Sequence, residues 1–104
     1  MQFIFDPSKD ELNVRKHGIS LDQASVIFNH PNKITLSSVR QGGDRWADIT
    51  LVEIHGVVLV LVLVIRNTDT VRPISLRRAS KAERTMYANW IEVNKSQGAH
   101  PQGE

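Results

Sequence analysis

A strongly basic stretch lies between positions 66 and 84, and its side chains are of a type that binds anions. It holds six basic residues against two acidic ones, Asp69 and Glu83. Because a guanidinium group binds phosphate or carboxylate bidentately, a stretch with more arginine than lysine favours recognition of such groups. The alternative is a charged face that is only solvated. The basic residues are Arg66, Arg72, Arg77, Arg78, Lys81 and Arg84.

The pair Arg77-Arg78 directly precedes a predicted helix start at Ser80. Guanidinium groups at this point would lie beside the free amides of a helix N-terminus, which is a favourable place for a phosphate. Glu83 argues against such an anion site, because its carboxylate belongs to the same helix end. The alternative is a pair of surface arginines that shields the edge of a sheet.

Two further arginines, Arg66 and Arg72, flank a predicted turn at 67–70. On an antiparallel pair of strands they would lie near each other and near Arg77. Converging arginines repel one another unless an anion lies between them, so this arrangement favours a functional role.

His17 stands between Lys16 and Gly18 at a predicted helix end. Cations near a helix C-terminus are favoured by the helix dipole, and glycine commonly ends a helix, so a purely structural role is open. Histidine is also the side chain best matched to proton transfer near neutral pH. Both interpretations stand at this point.

Composition excludes several other kinds of site. The chain has 104 residues and no cysteine, which excludes disulfides, thiolate metal sites and a cysteine nucleophile. The four histidines lack the spacing of a metal site, and no G-x-S-x-G, Walker or G-x-G-x-x-G motif occurs, so no metal or cofactor is predicted. The longest apolar run, Val57 to Ile65, is far shorter than the roughly 20 residues of a membrane span. The first residues lack the pattern of a secretory leader.

The elements that must position these residues follow the order β-α-α-β-β-β-β-α. This order predicts the α+β class: a small antiparallel sheet with two N-terminal helices and one C-terminal helix packed on it. Residues 1–94 are predicted to form one domain and 95–104 a disordered tail. The predicted strands are 3–5, 34–36, 46–55, 57–65 and 71–76, and the predicted helices are 7–17, 20–28 and 81–94.

Local signals define several of these elements. Asp6-Pro7 starts the first helix and Gly18 ends it, while Ser20–Gln23 and Ser80–Glu83 are capping boxes. Ala24, Ile27 and Phe28 are predicted to be the buried stripe of the second helix. The segment 37–44 is predicted to be a polar loop.

Two further predictions concern the last strand and the last helix. Pro73 requires that its strand be an edge strand or carry a bulge. The inner face of the last helix is predicted to consist of Ala82, Met86, Trp90 and Val93, with Tyr87 and Ile91 beside them.

Short motifs along most of the chain, taken in order, resemble the BrnT-type toxins of bacterial type II toxin–antitoxin systems, which are small ribonucleases with a RelE-like fold. Ala24 with Phe28, Glu83-Arg84 and Tyr87 belong to the same pattern. Pro73 and Leu76 depart from it, and the 37–43 segment lacks the acidic and histidine residues often found there. The motifs are Phe5-Asp6-Pro7-x-Lys9, Asn13-x-x-Lys16-His17-Gly18-Ile19-Ser20, Arg45-Trp46 and Arg72-x-Ile74-Ser75-x-Arg77-Arg78-Ala79-Ser80.

The resemblance implies a cytoplasmic ribonuclease that needs neither metal nor cofactor. RNA supplies its own nucleophile, the 2′-hydroxyl beside the scissile phosphate. The residues implied as catalytic are His17, Arg66, Arg77 and Arg78. Those implied as RNA-binding are Lys16, Arg45, Arg72, Lys81 and Arg84. Glu83 and Tyr87 are reserves for proton transfer.

The resemblance also implies partners. The expected partner is a BrnA-like antitoxin with a ribbon-helix-helix DNA-binding module, and the complex of the two would bind operator DNA. RNA is the expected substrate, and no membrane is involved. The competing hypothesis is a non-catalytic, arginine-rich module that binds nucleic acid or an acidic partner.

Overall fold

The computed structural model describes residues 1–43 and 45–98, without the side chains of Gly42, Arg45 and 95–98. A short 3₁₀ turn, Leu21–Gln23, precedes the second helix. None of the helices in the described ranges is long and apolar enough to cross a membrane. The elements are β1 (Gln2–Phe3), α1 (Pro7–His17), α2 (Ala24–Phe28), β2 (Ile34–Gly42), β3 (Arg45–Ile54), β4 (Val57–Arg66), β5 (Thr70–Arg78) and α3 (Lys81–Gly98).

The five strands form one sheet in the order β1-β5-β4-β3-β2. Strands β2 to β5 make an antiparallel meander, whereas β1 runs parallel to β5 through the pairs Gln2↔Thr70 and Phe3↔Val71. The α+β class is confirmed, and the sheet is antiparallel as predicted except at this edge, where β1 is parallel to β5. The reason is non-local: β1 pairs with a strand that follows it by most of the chain.

Strand β4 is the centre of the molecule and is buried on both faces. The residues Val60 to Leu63 are all buried, as the β-branched run predicts. On one face, called the α1 face, the core consists of Leu21, Ala24, Ile27, Val52, Leu61, Leu63, Val71 and Leu76. On the other, called the α3 face, it consists of Ile34, Ala47, Leu51, Val60, Val62, Ala79 and Tyr87.

Helix α1 begins and ends where its local signals predict. The Asp6 carboxylate accepts the Ser8 backbone N–H at 2.9 Å, and this bond is the main reason that the pKa of Asp6 lies below its usual value. At the other end Gly18 adopts φ 74° and donates its N–H to Val14. A left-handed residue at this position is favourable mainly for glycine.

The second helix differs from its prediction at its start. Ser20 caps a 3₁₀ turn by accepting the Asp22 N–H, and the Gln23 side chain donates to Asp22 instead of accepting the Ser20 N–H. Asp10 of α1 accepts both the Ser20 hydroxyl, at 3.0 Å, and the Leu21 N–H, at 2.7 Å. A carboxylate of α1 therefore satisfies the first backbone N–H of the turn, and Gln23 does not complete the predicted capping box.

The buried stripe of α2 follows its prediction, because Ala24 and Ile27 are buried and Phe28 is half-buried. The hairpin from β3 to β4 also turns where Gly56 predicts. His55 and Gly56 both have positive φ, at 52° and 81°, as a two-residue hairpin turn requires.

The predicted polar loop at 37–44 was wrong, because β2 continues to Gly42. The pairing with β3 is interrupted by irregularities between Leu36 and Val39 and between Arg40 and Gly42. Ser38 has φ 57° and donates its backbone N–H to the Asp48 carboxylate at 2.9 Å. Polar residues are tolerated here because β2 is the outer strand of the sheet and one side of it is open to water.

Pro73 is accommodated by a bulge, which is one of the two predicted solutions. Leu63 pairs with Pro73 and Val62 pairs with Ser75, so Ile74 is the extra residue. Strand β5 is not an edge strand for its first residues, since β1 covers Thr70 and Val71.

Helix α3 begins with the predicted capping box, but its inner face was predicted correctly only at Trp90 and at its neighbours Tyr87 and Ile91, and wrongly at Ala82, Met86 and Val93. The Ser80 N–H donates to Glu83 at 2.8 Å and the Glu83 N–H donates to the Ser80 hydroxyl at 3.2 Å. Tyr87 is only 3% exposed, whereas Met86 and Val93 are 38% and 55% exposed. Trp90 and Ile91 are half-buried beside the buried Tyr87, while Ala82 is exposed.

This rotation of α3 has a physical cause outside the helix. Glu83 is bound by Arg77 of β5, which directs the first turn toward the sheet. Tyr87, Trp90 and Ile91 follow Glu83 at helical spacing, so they become the inner face. The helix also extends to Gly98, beyond its predicted end at Asn94; residues 99–104 of the predicted tail lie outside the described residues.

Candidate nucleic-acid interface

Two depressions in the surface meet at the bulge of β5. The first, here called the tryptophan groove, lies over the α3 face and has a volume of about 250 Å³. The second, here called the lysine cleft, lies between α1 and β5 and has a volume of about 210 Å³. Ile74 and Ser75 line both, so the two depressions are neighbours separated by the edge of one strand.

The tryptophan groove combines an apolar floor with polar side chains on its border. The floor comes from the α3 face of the sheet, with Ala47, Val62, Val64 and Ile74. Gln41, Trp46, Ser75 and Arg77 complete the lining. Trp46 is 55% exposed, which is unusual for the largest apolar side chain.

The lysine cleft gathers the basic face of α1. Lys9, Leu12, Asn13 and Lys16 recur at helical spacing, so they share one side of that helix. His17 joins them at the helix end and is half-buried. Two lysines and a histidine therefore line this cleft together with Ile74 and Ser75 of β5.

Asn13 fixes the distance between the cleft's two walls. Its side chain is 5% exposed in total, and its amide donates to the carbonyl oxygens of Leu76, at 2.9 Å, and Ile19, at 2.8 Å. Its own oxygen accepts the Leu76 N–H at 3.1 Å. The amide thus pairs with β5 at Leu76 as a neighbouring strand would, on a part of β5 that β1 does not cover.

Arg77 and Glu83 form a bidentate ion pair beside the tryptophan groove. The Arg77 Nη1 to Glu83 Oε1 distance is 2.8 Å and the Nη2 to Oε2 distance is 3.0 Å. The hydrogen bonds from Arg77 lower the pKa of Glu83 to about 2, and the same bonds raise the pKa of Arg77. Glu83 is therefore ionised at neutral pH, and it occupies the helix N-terminus where the sequence suggested room for a phosphate.

The arginines of β5 form a row rather than a single cluster. Arg77 lies opposite Val60 and Arg72 lies opposite Val64, which is four positions further along β4. At roughly 3.3 Å per residue, the two backbone positions are about 13 Å apart. Arg78 is exposed and, as the next residue after Arg77, takes the opposite face of the strand.

Three other basic residues named from the sequence lie outside the two depressions. Arg66 is exposed at the end of β4, and Lys81 is exposed at the start of α3. Arg84 is exposed and donates to the Ala79 carbonyl oxygen at 3.1 Å. The predicted RNA-binding side chain of Arg45 lies outside the described residues.

Tyr87, named from the sequence as a reserve for proton transfer, makes structural contacts instead. Its hydroxyl donates to the Asn32 carbonyl oxygen at 2.9 Å, and its ring stacks on Trp90. It lines neither depression. In 1–43 and 45–98, His, Asp and Glu side chains do not gather in threes as a metal site would require.

Sequence reasoning did not select Lys9, Asn13, Gln41, Trp46 or Ser75 as site residues. For Lys9 the signal was present, since its spacing of seven from Lys16 places both on one helix face. For Ser75 and Gln41 no local signal exists, because the β5 bulge and the β2–β3 register bring them to the groove.

The arrangement can bind an extended anionic polymer that carries planar groups. Lysines line one side of the β5 edge, and an arginine and an exposed indole lie on the other. Cations suit phosphates, and an aromatic ring suits a base. Fold and lining together define a small α+β protein whose two neighbouring depressions carry cations and an exposed aromatic ring.

Comparison with known proteins identifies the family. Residues 5–83 match the family described as "Ribonuclease toxin, BrnT, of type II toxin-antitoxin system". The chain therefore belongs to the BrnT family of ribonuclease toxins, whose substrate class is RNA and whose partner is an antitoxin.

One solved structure supports the fold. The chain is similar to the ribonuclease toxin BrnT of Brucella abortus, known from a 1.1 Å crystal structure, with a TM-score of 0.59. The match covers 78% of this chain and 99% of that chain at 19% sequence identity. A comparison with curated proteins finds no match.

Proposed function

We propose that this chain is a metal-independent endoribonuclease that uses the 2′-hydroxyl of RNA as the nucleophile. In this reaction the 2′-oxygen forms a bond to phosphorus as the bond from phosphorus to the 5′-oxygen breaks. The products are a 2′,3′-cyclic phosphate and a 5′-hydroxyl. The observation that carries the proposal is the meeting of the lysine cleft and the tryptophan groove at Ser75.

His17 is the proposed proton-transfer residue. It is a half-buried imidazole at the end of α1, and it lines the lysine cleft together with Lys9 and Lys16. One proton must leave the 2′-hydroxyl and one must reach the 5′-oxygen, and His17 serves one transfer while water serves the other. Glu83 is a weaker choice, because its pKa of about 2 leaves it ionised and paired. Tyr87 is weaker because its hydroxyl is bound to Asn32.

The basic residues divide between the reacting phosphate and its neighbours. Arg77 lines the tryptophan groove and stabilises the charge on the phosphoryl oxygens. Lys9 and Lys16 bind the strand on the cleft side. Six other basic residues named from the sequence bind flanking phosphates by longer-range attraction. These are Arg45, Arg66, Arg72, Arg78, Lys81 and Arg84.

The antitoxin is proposed to be a BrnA-like protein with a ribbon-helix-helix module. An acidic segment of it would cover the lysine cleft, since complementary charge both steers and fixes such contacts. The complex would bind operator DNA through the antitoxin, and the free toxin would cleave RNA in the cytoplasm and arrest growth.

The chemistry is tested with two strands of the same sequence, one of RNA and one with deoxyribose at the cleaved position. The RNA strand should yield a cyclic phosphate and a 5′-hydroxyl, and EDTA should not change the rate. The deoxyribose strand should bind nearly as tightly and remain intact. Cleavage of that strand, or loss of activity with EDTA, would refute the mechanism. Binding of both strands with cleavage of neither would instead indicate the non-catalytic binding module.

A further inference from the structure

Trp46 is exposed in a way that the packing of the sheet does not require. It lies on β3 near the β2–β3 turn and is 55% exposed. It lines the tryptophan groove and also a smaller depression with Ser38, Asp48 and Ile65. Leaving an indole in water forgoes much of the stabilisation that its burial would give.

Arg40 holds a cation over the Trp46 ring. Its guanidinium carbon is 5.8 Å from the ring centroid, within the range of a cation–π contact. Arg40 is itself anchored, because its Nε donates to the Gly43 carbonyl oxygen at 2.6 Å. The indole is thereby oriented by a neighbour that belongs to the same hairpin.

Gln41 adds a polar group with both donor and acceptor capacity. Its side chain lines the same groove as Trp46. One of its N–H groups is bound by the Val39 carbonyl oxygen at 3.1 Å. The amide also carries a second N–H and an acceptor oxygen, which is the pattern that recognises the edge of a base.

We propose that Trp46 is a stacking platform for one unpaired base of the RNA strand, with the Gln41 amide at the edge of that base and Arg40 near its phosphate. The proposal rests on the proposed function in that the bound strand is RNA. It adds that the substrate is single-stranded at this nucleotide, since a base inside a duplex is already stacked on both faces. It also makes Gln41 the residue that determines base preference.

Binding is measured separately from cleavage by using a short 2′-O-methyl strand, which lacks the nucleophile. The chain has two tryptophans, Trp46 and Trp90, so Trp90→Phe leaves Trp46 as the sole tryptophan fluorophore. The strand should quench this fluorescence, and the same strand in a duplex should not compete. Trp46→Ala should weaken binding about 5- to 100-fold, the usual range for loss of one stacked base, and Trp46→Phe should keep most of the affinity.

Leu36→Ala is the matched control, because Leu36 is another exposed apolar residue of the same hairpin, at 36% exposure. Its affinity for the strand should equal that of the wild type. An abasic nucleotide is then placed at each position of the strand in turn. At one position it should lower the affinity of the wild type for the strand but not the affinity of Trp46→Ala.

Two results would overturn the proposal: unchanged strand affinity in Trp46→Ala, or equal competition by the duplex. If Trp46→Ala weakens only the antitoxin complex, the indole is a protein contact and not a base platform. The protein could fail to cleave RNA while strand binding still quenches Trp46 and one abasic position weakens binding of the wild type only. That result refutes the proposed reaction and leaves this inference intact. Melting curves of both Trp46 variants establish that they are folded.

Discussion

At the scale of single residues, the ion pair of Arg77 with Glu83 links stability to pH. Bonds from Arg77 hold the pKa of Glu83 at about 2, below its value of about 4.5 in an unpaired state. A lowered carboxylate pKa stabilises the fold at pH values above the unfolded pKa, and this contribution is lost as pH falls toward the folded pKa. The window in which this ion pair loses its effect is therefore from about pH 5 to about pH 2.

Glu83→Gln tests this linkage while leaving the helix cap possible, since glutamine also serves in a capping box. We expect the variant to melt earlier than the wild type at neutral pH and the difference to shrink as pH approaches 2. Melting temperature as a function of pH is the measurement. Glu92→Gln, at an exposed position of the same helix, should follow the wild-type profile. A difference that stays constant with pH would contradict the role of the ion pair.

His17→Ala tests the proposed proton transfer. The rate of RNA cleavage should fall about 10²- to 10⁴-fold, the usual contribution of general acid–base catalysis. The pH–rate profile should also flatten near neutrality. His55→Asn is the control, because His55 lies in the β3–β4 turn with φ 52°, a conformation that asparagine tolerates. A variant that melts slightly earlier yet cleaves at the wild-type rate would assign His17 to the helix end only.

At the scale of elements, Asn13 joins α1 to β5. Asn13→Ala leaves two backbone carbonyl groups and one N–H without their side-chain partner in a buried place. We expect a loss of about 2–4 kcal/mol in the free energy of unfolding, because buried unsatisfied groups cost about 1–3 kcal/mol each and water recovers part of this.

Denaturant unfolding and hydrogen exchange of the Leu76 amide measure this effect. Asn29→Ala is the control, because Asn29 is exposed and its amide bonds only to Ser25 within the same turn. That variant should stay within about 0.5 kcal/mol of the wild type. An Asn13→Ala protein with wild-type stability and a protected Leu76 amide would show that α1 docks without this bond.

Local chemistry made some elements predictable and tertiary contacts decided others. The ends of α1 and the start of α3 follow from Asp6, Gly18 and Ser80, whose bonds span a few residues. The rotation of α3 did not follow, because Arg77 of another element sets it. The extent of β2 was missed because a run of polar residues is equally typical of an irregular outer strand and of a loop.

The site was predictable by residue type but not by place. The arginines of β5 and His17 were selected from their chemistry, whereas Trp46 and Gln41 were not. Trp46 and Gln41 line the groove because the β2–β3 register places them there. Ser75 lines both depressions because it lies at the bulge after Pro73. Periodicity along the chain contains no information on such pairing between strands.

At the scale of the whole molecule, the lysines of α1 and Arg77 of β5 should make RNA binding strongly salt-dependent. Each phosphate neutralised by a cation releases counterions, and for single strands the log–log slope of affinity against salt changes by about 0.7 per contact. Lys9→Ala and Lys16→Ala should each reduce the slope by about that amount with a non-cleavable strand. Arg15→Ala is the control, because Arg15 is exposed, pairs with Glu11 and lies outside the cleft. Unchanged slopes in both lysine variants would exclude the cleft from the strand's path.

The pairing of Asn13 with Leu76, 63 positions apart, has a consequence for the order of folding. Contacts between distant parts of a chain form late, because closing a long loop costs entropy before any contact compensates for it. The hairpins of β2 to β4 close over short loops, whereas the cleft needs α1 and β5 together. A nascent chain emerging from the ribosome would thus hold a formed meander before it held a working cleft. Pulse-labelling during refolding should find β3 and β4 amides protected before that of Leu76, and simultaneous protection would contradict this order.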